Sequence, residues 1–385
     1  MNIVLLGSTG SIGTSTLKVI DENLNNFSLL LLSAHSNYEL MIEQCKKYEP
    51  IFAYLENKDS SKILREGLIH SGSSTKILNS RKELNEVIAM SDTDVVVAGM
   101  VGVAGLEPVH TAIASGKRVL LANKESYVVA GELLNELAKS TGATIFPIDS
   151  EHSAIHQCLE GSLRKKDDVS RILLTGSGGP FRTTDSKLLD KITPEEAVAH
   201  PVWNMGKKIS VDSATMMNKG LELIEARWLF DIDNIEIIIH PEGIIHSLVE
   251  YKDYSVIAQL SVPDMKIPIA YGLGFPDRIT SGSEQLDLLK IGSLNFYEPD
   301  SNKFPCLHLS KMAMLSGGTS PAVLNAANEV AVSAFLDNRI GFLEIHDTIS
   351  FVMDKIDQNS VKEIGQIVEV DLLAREMALK CIENI

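Results

Sequence analysis

Asn2-Ile3-Val4-Leu5-Leu6-Gly7-Ser8-Thr9-Gly10-Ser11-Ile12-Gly13-Thr14 is the stretch that decides the fold. The apolar run Ile3 to Leu6 reads as a buried strand, and the residues from Thr14 to Glu22 read as a helix. Between them, three glycines at GxxGxxG spacing let the backbone turn sharply and approach a pyrophosphate. The phosphates would then sit on free N–H groups at the helix N-terminus. Gly7, Thr9, Gly10, Ser11, Ile12 and Gly13 are therefore the candidate cofactor-binding residues. A tight turn of small residues made only for packing is the plainer alternative. The position of the turn at the head of a βαβ pattern favours a dinucleotide.

The pattern continues outward from that turn. Short apolar runs at Ser28–Ser33, Asp94–Ala98, Lys117–Leu121 and Thr144–Ile148 alternate with amphipathic stretches at Asn37–Tyr48, Glu107–Ser115 and Gly131–Ser140. Uninterrupted strands joined by helices predict an α/β fold whose first domain, residues 1–149, is a doubly wound, Rossmann-like parallel sheet. The second strand ends Ser33-Ala34-His35-Ser36-Asn37, without the acid that binds the 2′-hydroxyl of NAD. That turn suits a 2′-phosphate better and points to NADPH, with Ser36 or Asn37 also suited to capping the next helix.

From Ser150 the rhythm changes, and residues 150–275 read as an α+β catalytic domain with a strand meander at Glu236–Ile239, Ile245–Tyr251 and Ser255–Ser261. Residues 276–304 are rich in Gly, Pro, Ser and Asp and read as a linker. Residues 305–385 then form a C-terminal helical bundle, with 3.6-period spacing over Pro305–Leu315, Pro321–Asp337, Phe342–Ile356 and Asp371–Ile382.

Composition bounds the function. At 385 residues the chain calls for more than one core. Its net charge of −16 argues against nucleic acid or an anionic membrane as partner. A local basic pocket for a phosphorylated substrate is compatible with that charge. The four cysteines form no CxxC pair and read as reduced thiols. The first strand starts at once, with no basic flank or long apolar core before it, so the expected location is the cytoplasm.

Carboxylates gather beyond the strand that ends at Ile148. In an extended Asp149-Ser150-Glu151 segment both acids would point the same way and would repel unless a cation joined them. Hard oxygen ligands select Mg²⁺ or Mn²⁺, with Co²⁺ a further candidate; surface acids flanking a turn are the alternative. A helix beginning near Thr215 sets Asn218 and Glu222 one turn apart, with Lys219 beside them. Gly220 in its middle costs about 1 kcal/mol unless something must approach closely. The loop Thr175-Gly176-Ser177-Gly178-Gly179-Pro180 offers a phosphate nest, and Ser213 a further hydroxyl. The loop His200-Pro201-Val202-Trp203-Asn204-Met205-Gly206 suggests a lid that excludes water, or else a tryptophan pinning a loop to the core.

Together the segments GSTGSIG, LLANKES, PIDSEHSAI, LTGSGGPF, HPVWNMGKKISVDSATMMNKGLELIEA and IHSLVEY resemble the 1-deoxy-D-xylulose 5-phosphate reductoisomerase family, in order along nearly the whole chain. The resemblance implies NADPH on Thr9, Gly10, Ser11, Ile12, Ser36, Asn37, Asn123, Glu125 and Gly206, with Met205 near the nicotinamide. It implies a divalent metal on Asp149, Glu151 and Glu222. It implies substrate contacts from Lys124, Ser150, Glu151, Ser177, His200, Trp203, Ser213, Asn218, Lys219 and Glu222, with Lys124, Glu151 and His200 as the catalytic candidates. The sugar phosphate would be rearranged and then reduced, and the chain would form a homodimer. Two segments depart from the family pattern: His35-Ser36 replaces a glycine often followed by a basic residue, and His240-Pro241-Glu242-Gly243 replaces an HPQS-type segment. The competing readings are a metal-assisted sugar-phosphate reductase without rearrangement and a catalytically silent NADP-binding regulator. The complete set Lys124, Asp149, Glu151 and Glu222 argues against the latter.

Overall fold

The computed structural model describes residues 1–160, 166–199, 203 and 206–384, except for the side chain of residue 160. The described chain divides into two compact units, one of residues 1–126, 134–153 and 264–284, the other of residues 127–133, 154–263 and 285–385.

The first unit carries seven parallel strands in the order β4-β3-β2-β1-β5-β6-β7. They are β1 (Asn2–Leu6), β2 (Ser28–Ala34), β3 (Phe52–Leu55), β4 (Lys76–Ile77), β5 (Val95–Ala98), β6 (Arg118–Leu121) and β7 (Thr144–Pro147). The helices that follow them are α1 (Ser11–Asp21), α2 (Tyr38–Tyr48), α3 (Lys58–Ser71), α4 (Arg81–Ala89), α5 (Leu106–Ala114), α6 (Lys124–Thr141) and α7 (Ser150–Glu160). Strand order reverses beside β1, so β1 and β5 flank the switch point where such sheets bind ligands. Two further short strands, β3 and β4, extend the sheet beyond those expected, with the two-residue β4 at its edge. Further along the chain, α11 (Lys266–Gly274) buries Ile269, Ala270 and Leu273 in one cluster with Leu120, Phe146 and Ile148. Residues 264–274 thus pack on the seven-stranded sheet, because the helix needs an apolar partner along its length.

In the second unit the strands are β8 (Val169–Gly176), β9 (Ile235–Ile239), β10 (Ile245–Tyr251) and β11 (Val256–Leu260), in the order β11-β10-β8-β9. The expected meander is therefore corrected. β8 lies between β9 and β10, antiparallel to β10 and parallel to β9. Its burial explains the order: Ile172 and Leu174 are fully covered, as a central strand requires. The helices here are α8 (Pro194–Ala197), α9 (Lys207–Ala214), α10 (Met217–Phe230), α12 (Leu288–Ile291), α13 (Cys306–Ser316), α14 (Ser320–Leu336), α15 (Glu344–Lys355) and α16 (Ile364–Ile382). α10, α13, α14 and α15 share one apolar cluster that includes Leu221, Leu309, Phe335 and Ile349. α16 starts at Ile364, ahead of the expected Asp371, with Glu363 and Gln366 forming a capping box.

Candidate active site

The glycine turn has the required shape. Gly7 sits at φ +81°, and a Cβ there would lie 2.5 Å from the carbonyl oxygen of Gly99, at the end of β5. A Cβ on Gly13 would run into the backbone of Gly7 and Ser8, so both glycines are demanded by the protein itself. Gly10 differs: its Cβ position meets only the Gly7 oxygen, at 3.4 Å. Gly10 is also the N-cap of α1, and neither it nor any acid in the first turn satisfies the helix N–H groups. The open side of the turn is thus the positive end of a helix. Ser8, not anticipated from the sequence, anchors the turn: its hydroxyl donates to Gln44 Oε1 (2.7 Å), and Gln44 Nε2 donates to the Ser8 carbonyl (2.9 Å).

At the end of β2, His35, Ser36 and Asn37 are exposed. Asn37 Oδ1 accepts from Leu40 N at 3.1 Å, so the capping role is real.

The next strands bring further candidates to the same carboxyl edge. Asn123, buried before α6, donates to the carbonyls of Met100 (2.7 Å) and Gly102 (3.0 Å), holding the loop after β5. Glu125 is buried one residue beyond Lys124. Lys124 Nζ reaches Asp149 Oδ2 at 2.7 Å. Burial alone would push the Asp149 carboxyl up; Lys124 and His152 outweigh it and hold it well below the usual carboxylate range. The expected extended Asp149-Ser150-Glu151 segment is corrected: α7 begins at Ser150, with Ser153 N bonded to the Asp149 carbonyl at 2.8 Å. Ser150 Oγ donates to Glu151 Oε2 at 2.5 Å. A helical reading would have exposed His152, which is fully buried with Nδ1 3.7 Å from Asp149 Oδ2. The spacing i, i+3 was its available signal.

The second unit gathers the expected phosphate residues from the 176–179 loop, the end of α9 and the start of α10. α10 starts at the left-handed Met216 (φ 63°), which gives no side-chain cap, and Thr215 Oγ1 accepts from Met217 N at 3.3 Å, just ahead of Asn218 and Lys219. Asn218 Nδ2 donates to Glu222 Oε1 (2.5 Å), and Lys219 Nζ pairs with Glu222 Oε2, both partners almost wholly buried. A Cβ on Gly176 would lie 2.7 Å from Lys219 Cε, and one on Gly179 (φ +69°) would lie 2.5 Å from the Ser213 carbonyl oxygen. Glycine thus lets the 176–179 loop press on both segments. Ser177 Oγ accepts from Gly179 N at 3.3 Å. The close approach that requires Gly220 is packing, since a Cβ there would fall on Ser310 of α13.

Of the lid, Trp203 and Gly206 are described, whereas His200 and Met205 lie outside the described residues. The Trp203 ring is 6.3 Å from that of His246, inclined by 55°. Gly206 is the N-cap of α9.

Comparison with known proteins follows this geometry. The family model described as 1-deoxy-D-xylulose 5-phosphate reductoisomerase matches residues 3–131, and the one for that enzyme's C-terminal domain matches residues 145–230. A third, described as DXP reductoisomerase C-terminal domain, matches residues 260–377. The chain is 49% identical to a 1-deoxy-D-xylulose 5-phosphate reductoisomerase of Haemophilus influenzae over 100% of its own length and 99% of the relative's. It is 48% identical to that of Pseudomonas syringae pv. tomato, covering 100% and 98%. Among solved structures, the Zymomonas mobilis enzyme in complex with NADPH superposes with TM-score 0.93 at 42% identity, covering 100% and 99%. A DOX-P reductoisomerase in complex with NADPH, fosmidomycin and magnesium gives 0.93 at 40% identity, covering 100% and 98%.

Proposed function

The chain belongs to the 1-deoxy-D-xylulose 5-phosphate reductoisomerase family, and from that premise we propose which of its residues do the work. It is an NADPH- and divalent-metal-dependent oxidoreductase that rearranges and reduces 1-deoxy-D-xylulose 5-phosphate to 2-C-methyl-D-erythritol 4-phosphate, in isoprenoid precursor biosynthesis.

NADPH fits the first unit. Gly10 leaves the outer face of the turn open, and α1 offers uncapped N–H groups to a pyrophosphate. We assign Gly7, Thr9, Gly10, Ser11, Ile12 and Gly13 to the pyrophosphate, Ser36 and Asn37 to the 2′-phosphate turn, and Asn123, Glu125, Met205 and Gly206 to the nicotinamide half.

We assign the divalent metal to Asp149, Glu151 and Glu222, residues that supply the hard oxygen donors Mg²⁺ or Mn²⁺ selects. Lys124 keeps Asp149 ionised, which a metal ligand must be. When bound, the metal supplies a Lewis acid at the substrate carbonyl and NADPH supplies the hydride. The chain's own groups do the rest. Lys124 places positive charge where an oxyanion develops. Glu151, hydrogen-bonded to the Ser150 hydroxyl, is the proton shuttle. Ser177, Ser213, Asn218 and Lys219 hold the phosphate, so that binding energy remote from the reacting carbons orients them. His200, Trp203 and Met205 close over the substrate and exclude water.

The observation that carries this assignment is the convergence of Gly176, Gly179, Ser213 and Lys219 from three segments. The test is NADPH oxidation on adding 1-deoxy-D-xylulose 5-phosphate with Mg²⁺ or Mn²⁺, with the product read by NMR. A straight-chain polyol in place of the branched one would sink it.

Homodimerisation is proposed through β11, the sheet edge, where Val256 and Ile257 are exposed next to Tyr254. Among the described residues no helix is long and apolar enough to cross a membrane. A cytoplasmic location is proposed from the four cysteines, all free. We keep residues 1–149 as the NADPH-binding region, 150–275 as the catalytic and dimerisation region and 305–385 as the helical region.

A further inference from the structure

The segment His240-Pro241-Glu242-Gly243 takes no part in the mechanism, yet it forms a closed cluster beside the phosphate loop. His240 N donates to the Gly176 carbonyl at 2.7 Å, the last rung between β9 and β8. The loop 176–179 therefore leaves the sheet from that rung. On the other edge of β9, Ile239 and Tyr297 exchange both backbone hydrogen bonds at 2.9 Å, so residues 295–297 lie as a strap along the strand.

Glu242 fastens the strap. Its Oε1 accepts from Asn295 Nδ2 at 2.6 Å and its Oε2 from Asn295 N at 3.3 Å. His240 Nδ1 lies 2.9 Å from the Asn295 carbonyl and 3.1 Å from Glu242 Oε2. Both are acceptors, so Nδ1 carries the hydrogen. The Phe296 ring stacks on the buried imidazole, with centroids 5.1 Å apart and planes inclined by 21°. From the loop side, the Arg182 guanidinium lies 5.0 Å from the Tyr297 ring centre. A Cβ on Gly178 would lie 2.7 Å from Arg182 Cδ and 2.9 Å from Ile239 Cγ2, so strap, strand and loop press on one another.

We propose that Glu242 is a positioning residue for the substrate phosphate: by clamping Asn295 and His240 it fixes the strap on β9, and with it the path of the 176–179 loop. This rests on the reading that the loop holds the phosphate. A carboxylate suits the task because it accepts several hydrogen bonds at once in a partly shielded place.

The test compares Glu242→Ala, Glu242→Gln and Ser177→Ala, each assayed with 1-deoxy-D-xylulose 5-phosphate and with unphosphorylated 1-deoxy-D-xylulose. Glu242→Ala lowers kcat/KM for the phosphorylated substrate about tenfold. With the unphosphorylated substrate, kcat/KM is unchanged. Glu242→Gln keeps the oxygen that receives Asn295 Nδ2 and loses less. Equal losses on both substrates would overturn the proposal in favour of general destabilisation. An unaffected Glu242→Ala beside an impaired Ser177→Ala would overturn the clamp and leave the phosphate loop standing. An unaffected Ser177→Ala would remove the loop reading and the clamp together. If Glu242→Ala does not fold, Asn295→Ala breaks the same clamp and decides in its place.

Discussion

Lys124 Nζ lies 2.7 Å from Asp149 Oδ2, joining residues that follow two adjacent parallel strands, β6 and β7. The pair places an ammonium and a committed carboxylate at one edge of the sheet. Asp149 is held below the usual carboxylate range despite burial, so it stays ionised throughout the neutral region. With a depressed folded value, its contribution to stability is complete above the unfolded carboxylate range and is lost as pH falls toward the folded value.

Lys124→Met removes the principal counter-charge, and the Asp149 carboxyl moves up. Turnover is expected to fall by about 100-fold or more, with NADPH affinity within about threefold. Single-turnover kinetics and quenching of nucleotide fluorescence measure the two separately. A loss of turnover below fivefold would remove Lys124 from the chemistry.

Glu222→Gln keeps the shape of the side chain but removes the charge that pairs with Lys219 and that the proposed metal site would use. Mn²⁺ affinity, read by electron paramagnetic resonance, is expected to drop about 10- to 100-fold, with NADPH binding nearly intact. Parallel loss of cofactor binding would show that the two sites are not separable.

Gly7→Ala and Gly10→Ala test which face of the turn receives the nucleotide. At Gly7 the new methyl meets Gly99 and the backbone is left-handed, so the folded state itself suffers, by about 2 kcal/mol or more. At Gly10 the fold tolerates the methyl, and NADPH affinity falls while the melting temperature holds. Unaltered binding in Gly10→Ala would place the pyrophosphate elsewhere.

Gly220→Ala drives a methyl into Ser310 and is expected to cost about 1–3 kcal/mol in urea unfolding. Ser310→Gly in the same chain restores most of it. No recovery would mean that the glycine serves a role other than helix packing.

Burial pushes the thiols of Cys45, Cys158 and Cys306 up to about 12. At pH 8 they remain unreactive thiols in the folded protein, and iodoacetamide labels the half-buried Cys381 first. As pH rises past the ordinary thiol range, the unfolded chain releases protons that the folded one keeps, so stability declines. Early labelling of Cys306, found by mass spectrometry, would contradict the packing of α13.

The parallel sheet and the nucleotide turn are legible because their causes are local. An unbroken run such as Ile3–Leu6 is buried on both faces wherever it lies, and Gly7 and Gly13 answer to the atoms of their own turn. The Asn218–Lys219–Glu222 face follows equally from helical spacing alone. Asp149-Ser150-Glu151 was less legible, because three polar residues carry no periodicity and the helix that claims them is set by the apolar residues after them.

By itself, then, the sequence determined the strand–turn–helix proposed for the dinucleotide and the residue types available for metal and phosphate. Tertiary structure decided which of them meet. Lys219 lies under Gly176, Gly179 on Ser213, Ser310 against Gly220, and β8 between β9 and β10. Backbone spacing acts over a few residues, whereas these partnerships are 34 to 90 residues apart in the chain and are settled only when apolar faces are buried together.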